Sequence, residues 1–113
     1  MVEILNANRQ ENWIDLHNLR AIKYGCVLHV DCHLTVTWYL NVQEAHREID
    51  ALAVLIKKQF GESLELFVHS DGCLPFSCRI CNKAGCTERK NNFEQQICWT
   101  LENISQNKKH ELK

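Results

Sequence analysis

The sequence predicts an α+β domain of αββαβ order, a three-stranded sheet backed by two helices, followed by a Cys-rich segment and a C-terminal helix. Three observations predict it. Residues Cys26 to Val36 alternate apolar and polar with period two. Two extended runs flank the single Gly25, which reads as a β-hairpin. A capped helical pattern then runs from Asn41 to Gly61 and is followed by a further short apolar run.

Taken in order, Glu3 to Asn12 reads as a short helix with Ile4 and Leu5 as its apolar side, and Trp13 to Tyr24 reads as extended. In the next strand Leu28, Val30, Cys32, Leu34 and Val36 share one face, while His29, Asp31, His33 and Thr35 share the other. Asn41 with Glu44 three residues on forms a capping-box pattern. Ala45, Ile49, Leu52, Ile56 and Phe60 follow at helical spacing, and Gly61 is a natural stop. Leu64 to His69 reads as the third strand. The expected core is Leu28, Val30, Leu34, Ile49, Leu52, Ile56, Leu66 and Val68. Phe93, Ile97, Leu101 and Ile104 mark an amphipathic C-terminal helix over about 92–105. The expected division is a core unit at 1–72 and a Cys-rich segment with its helix at 73–113.

Composition narrows the function classes. The 113 residues include 13 Lys+Arg and 14 Asp+Glu, a net charge of −1, so no basic field invites nucleic acid or anionic lipid. The longest apolar run, Ala51 to Ile56, is far too short to span a bilayer, and no secretory leader pattern opens the sequence. Seven cysteines are an odd number, so the monomer cannot pair them all; with six histidines beside them, metal ligation leads. The plainer reading of a single Cys is a small buried hydrophobe, which suits Cys26, Cys32 and Cys98.

A hairpin centred on Gly25 sets His17 opposite His33, close enough for two imidazoles to share one ion. A one-residue slip would put them on opposite faces. A right-handed crossover makes the third strand parallel to the second. The ends of both strands and the first turns of the long helix then meet at one rim, gathering His33, His46, His69 and Asp71 beside His17. Imidazole and carboxylate at this density suit Zn²⁺ or a similar divalent ion. Each His alone reads more plainly as a surface or capping residue, and His29 and His110, without evident partners, keep that reading. Binding needs neutral imidazoles, so affinity is expected to fall below about pH 6.5.

His17-Asn18-Leu19-Arg20, Gly25, Val30-Asp31-Cys32-His33, Ala45-His46 and Val68-His69-Ser70-Asp71 together resemble the cytosolic C-terminal domain of cation diffusion facilitator transporters. The family pattern has His-Asp-Leu-Arg where this chain has Asn18. The resemblance covers about residues 13–72 and implies a metallochaperone-like (ferredoxin-like) fold, a homodimer, and cytosolic ligands at His17, His33, His46, His69 and Asp71. It implies a regulatory module at the cytoplasmic face of the membrane, continuous with a transmembrane transport domain that this sequence does not contain. The metal implied is Zn²⁺, or Cd²⁺, Co²⁺, Fe²⁺ or Mn²⁺, with no nucleic-acid or small-molecule partner. A free-standing metallochaperone or metal sensor is the alternative. An enzyme is not expected, because the rim lacks a dedicated general acid or base beside an open metal position. An uncovered His29/Asp31/His33 face with Phe67 on it also favours dimerisation.

Beyond Asp71 the resemblance says little. Cys73-x4-Cys78-x2-Cys81-x4-Cys86 places four thiols within fourteen positions, around a Cys-x2-Cys knuckle spacing. With only Leu74, Phe76 and Ile80 to bury, the segment is expected to fold around a second, closed metal site, with Cys98 packed as a buried residue. Alternatively Cys73 belongs to the rim and the other three are free thiols.

Overall fold

Clean alternation gives one apolar face to β2 (Val27–Val36), and that strand lies in the middle of the sheet. The computed structural model of the chain describes residues 2–61 and 63–112. Around β2 the order is α1 (Val2–Ala7), β1 (Asp15–Tyr24), α2 (Val42–Phe60) and β3 (Glu65–Gly72), then a 3-10 helix (Pro75–Ile80) and α3 (Leu101–Ile104). β1 is antiparallel to β2 and β3 is parallel to it, so the αββαβ core is as expected.

The hairpin reaches its expected pairing by an unexpected route. Its loop is Gly25–Cys26, with Tyr24 opposite Val27. Gly25 has φ +59°, the positive value a tight hairpin needs at its first loop position. Continued unbroken, that register would set His17 against Leu34. Instead a β-bulge between His17 and Arg20 sets Asn18 and Leu19 against Cys32 alone, and His17 falls opposite His33. Asn18 takes φ +52°, a left-handed conformation that Asn adopts more readily than most residues. The bulge also flips the strand's parity. His17 before it, and Arg20 and Ile22 after it, therefore share the face turned away from the long helix.

The other face carries the core. α2 starts with a reciprocal capping box: Asn41 Oδ1 accepts the Glu44 N–H at 2.8 Å, and Glu44 Oε1 accepts the Asn41 N–H at 2.9 Å. Its Leu52 and Ile56 are fully buried with Leu5 of α1, Val30, Cys32 and Leu34. Leu28, Leu66 and Val68 are half-buried against this cluster, while Ile49 stands apart from it and lines a surface depression at the sheet end. Trp13, Leu16, Leu19, Val36, Leu64, Trp99 and Ile104 complete the core.

Three local expectations give way to tertiary bonds. α1 ends at Ala7 rather than Asn12, because Arg9 turns to donate to the Ile97 carbonyl at 2.7 Å and the Ile14 carbonyl at 2.9 Å, with its guanidinium 3.9 Å from the Trp99 ring centre. The helix expected over 92–105 is confined to Leu101–Ile104. Upstream of it the backbone bonds sideways instead of along a helix: Asn6 both accepts from the Trp99 N–H and donates to its carbonyl, and the Arg79 carbonyl accepts from the N–H groups of Glu94 and Gln95. These bonds sink Trp99 into the core and leave Phe93 and Leu101 exposed. Cys98 and Cys26 are exposed, correcting the expectation of buried small residues. Only Cys32 is fully buried, and burial pushes its thiol up to about 12.

Candidate metal centre

The corrected register aligns three imidazoles in one row across three strands. His17 of β1 pairs with His33 of β2, which pairs with His69 of β3. Ring centres of His17 and His33 are 5.1 Å apart, and His69 stacks on His33 at 4.8 Å with planes 19° apart. Asp71, two residues beyond His69 and thus on the same face, reaches back over the row. Its Oδ2 lies 3.1 Å from His33 Nδ1 and 3.7 Å from His17 Nε2.

His17, His33 and Asp71 offer one ligand atom each with all three mutually within 4.8 Å, the single such trio among the described residues. His17 is nearly buried, and its Nδ1 has no hydrogen-bond partner. Burial holds its pKa below the ordinary imidazole value, with the nearby Asp15 opposing the shift. A buried, neutral imidazole beside a carboxylate is a metal-ready donor. Three such donors would leave a tetrahedral ion one open position.

The remaining expected ligands sit elsewhere. His69 is exposed and touches the trio through its stack on His33. His46 is exposed on α2, 3.5 Å from Asp50 Oδ1, and lines the depression that also contains Ser70, Asp71 and Gly72. The four cysteines beyond the sheet, Cys73, Cys78, Cys81 and Cys86, all border one cavity of about 160 Å³, yet no three of their sulfurs are mutually within 4.8 Å. Burial raises the Cys73 thiol pKa, partly countered by the Trp38 N–H that it accepts.

Two groups at the centre have no local signal in the sequence. Lys109 places its ammonium 3.6 Å from Asp71 Oδ2. Next to it, buried His110 is locked to buried Asp15: its Nδ1 lies 2.5 Å from Oδ1 and its backbone N–H donates to Oδ2 at 2.6 Å. His110 Nε2 faces the Asn103 carbonyl at 2.7 Å, so both ring nitrogens meet acceptors and the pKa is raised, chiefly by the Asp15 bond. The chain end thereby crosses β1, where the Gln106 carbonyl accepts the Asn18 N–H at 2.7 Å. His29 is partnered as well, 3.1 Å from Glu65 Oε2. Neither His29 nor His110 is the unpartnered residue expected from sequence.

The αββαβ core thus carries a His/Asp cluster at one rim of its sheet. Residues 2–73 match the family described as "Cation efflux protein, cytoplasmic domain", and the chain belongs to that family. Among solved structures it is similar to CzrB, described as a candidate zinc transporter, in a zinc form. Identity there is 24%, with a TM-score of 0.50, covering 62% of this chain and 73% of that one. A second CzrB structure matches at 24% identity and TM-score 0.50, covering 64% of this chain and 82% of the other. These likenesses establish the shared α+β fold. A search of functionally curated proteins returned no match. The family is a transporter domain rather than an enzyme family, and no helix among the described residues is long and apolar enough to cross a membrane.

Proposed function

We propose that this chain is the regulatory domain of a divalent-cation exporter, binding Zn²⁺ or a similar first-row ion through His17, His33 and Asp71, with His69 and His46 as flanking donors. The observation that carries this reading is the convergence of two imidazoles and one carboxylate from three strands within 4.8 Å. One imidazole, that of His17, is buried with its Nε2 turned toward Asp71, which favours ligation over an ordinary surface His pair. The metal-binding and dimerising unit is residues 1–72, and the segment after it packs back onto it through Trp99 and Ile104.

Dimerisation through the sheet face opposite α2 is part of the proposal. Ile22, Tyr24 and Phe67 are 51%, 64% and 60% exposed, and Ile22 and Phe67 line one groove with Arg20, His29 and Asp31. An apolar patch with a charged rim fits a second copy of the same surface. Ion binding at the adjacent rim would then bias how the two copies sit and so signal cytosolic metal to the transport domain.

Calorimetry with Zn²⁺ tests the site. The His33→Ala variant should lose the rim ion, and His69→Ala should weaken it; unchanged affinity and stoichiometry in both would refute the assignment. Sedimentation equilibrium showing only monomer at high micromolar concentration, with and without Zn²⁺, would refute the dimer.

A further inference from the structure

The family match stops at residue 73, and the four cysteines from Cys73 onward lie at or beyond that limit. We infer that Cys73, Cys78, Cys81 and Cys86 hold a second, soft divalent cation of the Zn²⁺/Cd²⁺ class in a closed thiolate site, separate from the His/Asp rim.

Topology brings the four sulfurs to one place from three different backbone settings. Cys73 continues the edge of β3, its N–H donating to the Val36 carbonyl at 2.9 Å. Cys78 lies in the 3-10 helix, and Cys81 closes that turn through its N–H to the Cys78 carbonyl at 3.2 Å. Cys86 follows Gly85, whose φ of +72° reverses the chain toward the same cavity. All four border that cavity, beside the apolar walls of Ile14, Leu74 and Pro75.

Second-sphere donors are already aimed at the sulfurs. The Trp38 N–H reaches Cys73 Sγ and the Lys90 N–H reaches Cys78 Sγ, each at 3.4 Å. Donors of this kind stabilise thiolates in metal sites. Arg89 fastens the knuckle itself, donating to the carbonyls of Cys78 and Cys81 at 2.9 Å each and of Lys83 at 3.1 Å. Its charge, with that of Lys90, opposes the net −2 of a dication on four thiolates; Glu88, also at the cavity, acts against it. Beyond the buried Ile80 and Cys81 the segment has little apolar anchorage, so such a site has a structural task.

Binding releases one proton per thiol and draws the sulfurs together. Zn–S bonds of about 2.3 Å in a tetrahedron put sulfurs about 3.8 Å apart, whereas no three of them now lie within 4.8 Å of one another.

The test uses the full reduced chain. Titration with Co²⁺ should produce thiolate-to-cobalt charge-transfer absorption at one equivalent. A His33→Ala, Asp71→Asn variant should retain it, and Cys78→Ser, Cys81→Ser should abolish it. This separates the inference from the rim assignment, since either site can fail alone. On the Zn²⁺-loaded wild type, only exposed Cys26 and Cys98 should react rapidly with a thiol reagent, and four further thiols should become reactive on adding a strong chelator. Six rapidly reacting thiols before chelation would overturn the inference. So would loss of the cobalt band in the rim variant, or release of the four thiols by reductant rather than chelator.

Discussion

Replacing His110 with Ala should be the most damaging single change near the chain end, because it leaves a buried carboxylate without its cation. Asp15 and His110 are 1% and 7% exposed, and Asp15 also accepts the Leu16 N–H at 2.9 Å. Breaking a buried, hydrogen-bonded ion pair by removing one partner costs about 3–5 kcal/mol. With an unfolding entropy of about 2.1 cal/mol/K per residue over 113 residues, each kcal/mol lowers Tm by about 4 °C, so the variant should melt about 12–20 °C lower. The pH dependence has a definite sign. The folded state raises the His110 pKa above its unfolded value of about 6.5. Its contribution is therefore fully present below that value and is lost as pH rises through the folded pKa. Thermal melts of wild type and His110→Ala should differ most near pH 6 and converge as the solution becomes alkaline. A Tm difference under about 3 °C at pH 6, or a gap that widens with rising pH, would refute the reasoning.

Lys109→Met removes the ammonium that any rim cation must displace from Asp71. As a partly exposed pair it is worth up to about 1 kcal/mol, so Zn²⁺ affinity by calorimetry should rise about two- to fivefold. Asn18→Val puts a β-branched residue at φ +52°, which should cost about 1–2 kcal/mol in chemical denaturation and, by disturbing the bulge that aims His17, weaken Zn²⁺ binding about tenfold or more; Asn18→Gly should preserve both. An NMR titration of the metal-free chain should give His17 a midpoint below about 6.5 and His110 one above it, and the reverse order would sink both environments.

Short-range signals carried the core. β2 was legible because a strand buried on one face must alternate, and α2 because Asn41, Glu44 and Gly61 satisfy helix-end groups within a few residues of themselves. The three-histidine row was legible through topology: an antiparallel hairpin and a parallel crossover leave little freedom in which residues become neighbours. Yet His17 meets His33 only because Asn18 adopts a left-handed bulge that offsets a loop centred later than Gly25 alone suggests.

Past Gly72 the sequence pattern loses its authority. Phe93, Ile97, Leu101 and Ile104 have helical spacing, but an isolated turn is weaker than the sideways bonds that Asn6, Arg9 and Arg79 offer. Asp15 and His110 stand 95 residues apart, and nothing local marks them as partners. By itself, then, the sequence determined the αββαβ core, its apolar face and the gathering of His and Asp side chains at the rim, because periodicity, capping and strand pairing are local. Only the tertiary structure decided the bulge that aims His17, the latch that brings Lys109 to Asp71, and the single cavity bordered by four thiols. Those depend on side chains satisfying buried polar groups across the whole chain, a requirement that no short window of residues expresses.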